Sequence, residues 1–173
     1  MSKKIKLIIL ILLISLLSLN SCAYLGGRLY DDTGKKSEIR LKQIIEIINN
    51  KDKEALKKIF SEHALIEAID LDERIDYIFD FINGEITSWE KRVGGSSTES
   101  VNKGKKEKTS MSWYIVNTNN QNFLIAFLEW LIDTENPENV GVYMLYVIKA
   151  EDEKQFKGFG PNTRYAGIYK PEE

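Results

Sequence analysis

The apolar residues of this chain change their period once, at Gly84, and that single change restricts the fold more than any short motif does. Before it, Leu41, Ile44, Ile45 and Ile48 fall at i, i+3, i+4 and i+7, the spacing of an amphipathic helix over Ser37 to Asn49. Asn49-Asn50 stops that helix, and Asp52 is placed to cap a second one bearing Leu56, Ile59 and Phe60. Ser61 offers a cap for a short piece through Ile69. Asp70-Leu71-Asp72-Glu73 reads as a capping-box variant that opens a further helix carrying Leu71, Ile75, Ile78, Phe79 and Ile82, with Gly84 as its stop.

After Gly84 the pattern is that of strands. Ile86 to Val93 predicts a first strand, and GGSSTESVNKGKKEK (94–108) predicts a loop or a mobile hairpin tip. Ser110 to Thr118, Asn122 to Asp133 and Val140 to Ala150 predict three strong strands, parted by the turn signals Asn119-Asn120 and TENPEN (134–139). A last short strand is expected near Ala166 to Tyr169. Helices first and an antiparallel meander afterwards predict a single α+β domain over residues 37–173.

The N-terminus reads differently. Lys3, Lys4 and Lys6 precede an almost unbroken apolar run of 13 residues, Leu7 to Leu19, which is the layout of a secretory signal over residues 1–21. A membrane-spanning helix needs roughly 20 apolar residues to cross about 30 Å of hydrocarbon. The junction Leu19-Asn20-Ser21-Cys22 resembles the bacterial lipobox, from which Asn20 departs. That resemblance implies cleavage between Ser21 and Cys22 and a diacylglyceryl group on Cys22. The protein would then be held on the extracytoplasmic face of a cell membrane. Two acyl chains anchor firmly because each buried methylene contributes about 0.8 kcal/mol. Residues 22–36, rich in glycine and charge and without periodicity, read as a flexible tether. Losing residues 1–21 removes three lysines and no acids, leaving 21 basic and 26 acidic residues, a balance with no global field for nucleic acid. Cys22 is the single cysteine, so an exported domain relies on packing without disulfides.

The blocks DLDERIDYIFDFINGEITSWE (70–90), WLIDTENPENVGVYMLYVIKAEDE (130–153) and AGIYKP (166–171) resemble a family of uncharacterised bacterial lipoproteins that forms a domain of unknown function. That family is similar to the nuclear-transport-factor-2-like cone fold, in which N-terminal helices pack on a curved antiparallel sheet. The resemblance implies fold and export, and it brings no catalytic residue.

In such a fold, alternation along the strands decides which side chains line a pocket. In Asn122 to Asp133 one face carries Phe123, Ile125, Phe127, Glu129 and Leu131, with Glu129 the single charge. Buried, it would have the character of a general acid or base; the preferred expectation places it toward solvent or opposite a lysine. Tyr77, Trp113, Glu129 and Tyr143 form the candidate pocket set. His63, the single histidine, is expected on the surface of the short helix, which excludes a two-histidine zinc site. Asp72, Asp76 and Asp80 share a helix face, read as solvated rather than as a cation site. Lys103, Lys105, Lys106 and Lys108 are read as a solvated basic loop. GFGPNTRYAG (158–167) lacks the following helix and lysine of a phosphate loop, and no cofactor is expected. Three functions stay open: a non-catalytic module binding a small ligand or a protein; a small isomerase- or dehydratase-like enzyme using Glu129 or an aspartate as base; and a structural homo-oligomer, such as a homodimer, suggested by the apolar run of Val140 to Ala150.

Overall fold

The computed structural model of the chain describes residues 21–92, 95–154 and 165–170. The signal-like segment through Asn20 and most of GFGPNTRYAG lie outside the described residues. Two compact units divide the chain, residues 1–39 and residues 40–173. Four helices come first: α1 (Ser21–Asn50), α2 (Lys53–Ile59), α3 (Glu62–Glu67) and α4 (Leu71–Phe81). Six strands follow: β1 (Ser88–Lys91), β2 (Ser96–Asn102), β3 (Lys105–Asn117), β4 (Asn122–Asp133), β5 (Gly141–Lys149) and β6 (Gly167–Tyr169). Among the described residues no helix is long and apolar enough to cross a membrane.

The helical part follows the apolar spacing closely. Leu41, Ile44, Ile45 and Ile48 of α1 are buried, as are Leu56 and Ile59 of α2 and Ile75, Ile78 and Phe79 of α4. Each such side chain contributes about 1.5–3 kcal/mol on leaving water. The Asp52 carboxylate accepts from the Ala55 amide at 2.9 Å and the Ser61 hydroxyl from the Ala64 amide at 3.1 Å, so both expected caps form. Asp70 departs from expectation. It precedes α4 in the left-handed region at φ 54° and its side chain makes no cap bond. The segment 22–36, expected as a tether, is helical in α1. It holds no proline, and Asp32 and Lys36 pair at i, i+4 across 3.1 Å, an arrangement that supports a helix without any apolar period.

The sheet runs β1-β3-β4-β5-β6, with β2 also pairing with β3. β3 is long enough to receive β1 at Tyr114–Asn117 and β2 at Lys105–Met111 along one edge. The basic stretch expected as a solvated loop is therefore mostly strand. Lys103 and Gly104 turn at φ 50° and 82°, the positive pair that a tight hairpin requires. Across the hairpin Glu99 lies opposite Lys108 and pairs with Lys106 at 3.0 Å and Lys108 at 3.5 Å. The sheet is mixed rather than antiparallel throughout, because β6 runs parallel to β5. Residues 150–166 between them supply the length that a parallel return needs.

Side chains on both faces of β5 are buried. One face joins the main core through Val142, Leu145 and Val147. The other carries Met144 and Tyr146 beside Ala126, with Trp113, Tyr165 and Tyr169 packed against them. Burial, with Tyr169 close by, pushes the Tyr146 phenol up to about 12. The unfolded chain releases that proton near the ordinary value of 10.0 while the folded chain keeps it. Stability should therefore fall as pH rises from about 10 toward 12, and Tyr146→Phe should flatten that part of a denaturation-versus-pH curve.

Gly141 is one of the positions where the helical part meets the sheet closely. Its φ is 134°, and a Cβ there would lie 2.9 Å from the Ser61 amide nitrogen. That amide donates to the Val142 carbonyl at 2.9 Å. Gly141→Ala should lower stability by about 2 kcal/mol or more in chemical denaturation. Gly104→Ala, at a positive φ of 82° with nothing within 4 Å, should cost less.

Candidate functional site

The inward face of β3 changes character along its length. From the hairpin tip inward it presents Lys108, Ser110, Ser112, Tyr114 and Val116, all buried, while the intervening residues are only partly covered. On β4 the matching positions are Glu129, Phe127, Ile125 and Phe123, with Glu129 opposite Ser110 and Phe127 opposite Ser112. One half of the sheet's inner face is thus apolar, and the other carries hydroxyls and charge. Tyr114 stacks with Phe127 at 6.2 Å where the two halves meet.

Glu129 is only 2% exposed, so the expectation of a solvent-facing carboxylate is corrected. The positions across the strands from it are Ser110 and Val142 rather than a lysine, and Arg40 of α1 donates its Nε–H to Glu129 Oε2 at 3.0 Å. Arg40 Nη1 donates to Gln43 Oε1 one turn along, at 2.8 Å. Arg40 precedes Leu41, Ile44 and Ile48, whose side chains are in the core. Burying that apolar stripe brings the neighbouring arginine against the sheet at the level of Glu129. A carboxylate taken out of water needs such a counter-charge, since an unpaired buried ion costs several kcal/mol.

Beyond its contact with Glu129, Arg40 lines an open groove of about 370 Å³ between α1 and α2. Gln43, Glu46 and Asn50 of α1 face Asp52 and Lys58 across it, over a floor of Ile47, Ala55 and Ile59. A second groove of about 560 Å³ passes over Asn49, Phe79, Asp80 and Gly84. There the Asn49 side chain is engaged by the Ile86 backbone, donating at 3.1 Å and accepting at 2.9 Å.

The four candidate pocket residues do not converge. Trp113 sits on the opposite sheet face from Glu129, in the cluster with Ala126 and Tyr146. Tyr77 is on α4, stacked on Phe81 at 5.1 Å with the Lys170 ammonium 5.1 Å from its ring centre. Tyr143 is the residue passed over where β5 shifts register, since Leu128 pairs with Met144 and Glu129 with Val142. That bulge turns its hydroxyl to α3, where it donates to Glu67 at 2.7 Å, while His63 lies 3.1 Å from the same carboxylate. The Tyr143 hydrogen bond is the main reason the Glu67 carboxyl is held below its ordinary value; burial opposes the shift and His63 adds to it. His63 is on the surface, as expected, and the cluster fastens α3 to the sheet.

Two of the three aspartates of α4 pair with lysines of α2, Asp72 with Lys57 at 2.6 Å and Asp76 with Lys53 at 2.5 Å. Among the described residues no group of three His, Cys, Asp or Glu side chains is placed to hold a metal ion. Arg40, Ser110, Ser112 and Lys108 escaped the sequence reading as site residues. The alternation Lys108, Ser110, Ser112, Tyr114 was available as a signal, masked by the assignment of Lys108 to a loop.

These features define an α+β domain with helices on a curled, open, mixed sheet and a part-buried ion pair at the edge of a polar groove. Residues 43–150 match DUF5104, a domain of unknown function, and the chain belongs to that family. No curated protein matches the chain.

The ion pair makes a direct prediction. Arg40→Met should destabilise the protein by about 3 kcal/mol, because it takes a charged donor away from the buried Glu129 carboxylate. Adding Glu129→Leu should recover most of that loss, as read by a double-mutant cycle of denaturation midpoints.

Proposed function

We propose that the protein is a lipid-anchored binding module on the extracytoplasmic face of a bacterial membrane, with its ligand site in the groove that ends on Arg40. The anchor reading is supported by the lysine-led apolar run and the Leu19-Asn20-Ser21-Cys22 junction, where the acylated cysteine would become the first residue of the mature chain. The order of helices followed by a curled sheet supports a relationship to the nuclear-transport-factor-2-like cone. A fold of that kind hosts binders and enzymes alike, so the site must carry the functional reading.

The observation that carries it is Arg40: a buried carboxylate fixes one edge of the guanidinium while the same side chain lines an open groove of ligand size. A pre-positioned arginine recognises carboxylate or phosphate oxygens at little ordering cost. The catalytic alternative loses support from the same contact. Glu129 is committed as an acceptor to Arg40, and Asp72 and Asp76 are committed to lysines.

Native protein extracted from membranes should carry acyl chains on Cys22, and Cys22→Ala should accumulate as an unacylated precursor in metabolic labelling with a fatty acid. Denaturing the extracted protein should release a small polar molecule detectable by mass spectrometry. Its recovery should drop in a Glu46→Gln, Lys58→Ala double variant. Recovery that is absent, or equal in the two proteins, would contradict the groove as a binding site.

A further inference from the structure

Resting on that binding reading, we infer that the groove between α1 and α2 takes a small zwitterion, an α-amino acid with an apolar side chain. The groove offers both signs of charge. Arg40 and Lys58 are cationic, Glu46 and Asp52 anionic, and Gln43 and Asn50 add neutral donors and acceptors. Two of the four charges already have work: Arg40 donates to Glu129, and Asp52 caps α2 through Ala55. Glu46 and Lys58 do not. Among the described residues neither has an ion-pair or hydrogen-bond partner, although both line the same groove.

The chemistry follows from this division. A carboxylate is matched by Lys58 together with the N–H groups that Arg40 has left over after Glu129 and Gln43 are served. An ammonium is matched by Glu46. Ile47 and Ile59, 8% and 6% exposed, form with Ala55 an apolar floor suited to an aliphatic side chain. A groove of about 370 Å³ lies at the small end of the range for ligand pockets, which fits a free amino acid better than a nucleotide or a sugar chain. A purely anionic ligand would leave Glu46 facing like charge, and a purely cationic one would leave Arg40 and Lys58 repelling it.

The test titrates the full, membrane-extracted chain in detergent with L-leucine, N-acetyl-L-leucine and L-leucinamide, following calorimetry and backbone amide shifts. Leucine is expected to move the amides of Gln43, Glu46, Ala55 and Lys58. The two blocked compounds, each lacking one charge, should bind roughly fivefold more weakly or worse. Glu46→Gln should selectively lose the preference for leucine over N-acetyl-leucine, and Lys58→Ala the preference over leucinamide. Both substitutions are on exposed positions, so the fold should be retained. If the blocked compounds bind as well as leucine, the zwitterion inference fails while the groove stands as a binding site. If no probe moves a groove amide, the amino-acid inference is overturned, and the molecule recovered from native protein then decides the binding reading separately.

Discussion

The contact between Arg40 and Glu129 is the constraint around which the site is arranged. A carboxylate 2% exposed on the inner face of a sheet is tolerable only with a counter-charge in contact, and the 3.0 Å bond to Arg40 provides it. Replacing such a pair by apolar side chains is often neutral or stabilising, so packing alone does not require it. The pair does fix one arginine in one orientation. The apolar stripe of Leu41, Ile44 and Ile48 sets the height of the helix on the core, and the ion pair sets its rotation at Arg40.

The sheet register makes this possible. Because side chains alternate with a period of two, Ser110, Ser112 and Tyr114 share a face with Phe127 and Glu129, and a slip of one residue would exchange that face for Trp113 and Leu128. Two irregularities then adjust the sheet locally. The shift between Lys108 and Thr109 lies next to the hairpin, and the shift between Leu128 and Glu129 frees Tyr143 to reach Glu67. The helix–sheet junction is secured at separate points by Gly141 under Ser61, by Asn49 on the Ile86 backbone, and by this tyrosine.

Much of the architecture was legible in the residues. Helical spacing marked α1 from Leu41 to Ile48, as well as α2 and α4, and Asp52 and Ser61 announced the caps of α2 and α3. Alternation in β4 correctly put Glu129 on the face with Phe123, Ile125 and Phe127. What alternation could not supply was the partner, since Arg40 lies 89 residues away and a polar residue at the edge of a helix stripe looks solvated. Composition misled where long-range pairing outweighs it. The lysine- and serine-rich hairpin is ordered by cross-strand charge pairs, and β6 lies parallel because its neighbour was chosen by the tertiary fold. Asp70 failed as a cap because its backbone is left-handed, a conformation no local pattern specified.

The central claim is that Glu129 holds Arg40 in one orientation, and Arg40 Nε–H reports on it most directly. In ¹⁵N-detected NMR of the native chain this proton should exchange slowly with water and give a resolved signal distinct from those of the other arginines. In Glu129→Gln it should move and exchange faster. An Arg40 Nε–H that exchanges as rapidly as that of an exposed arginine, with no response to Glu129→Gln, would contradict the account.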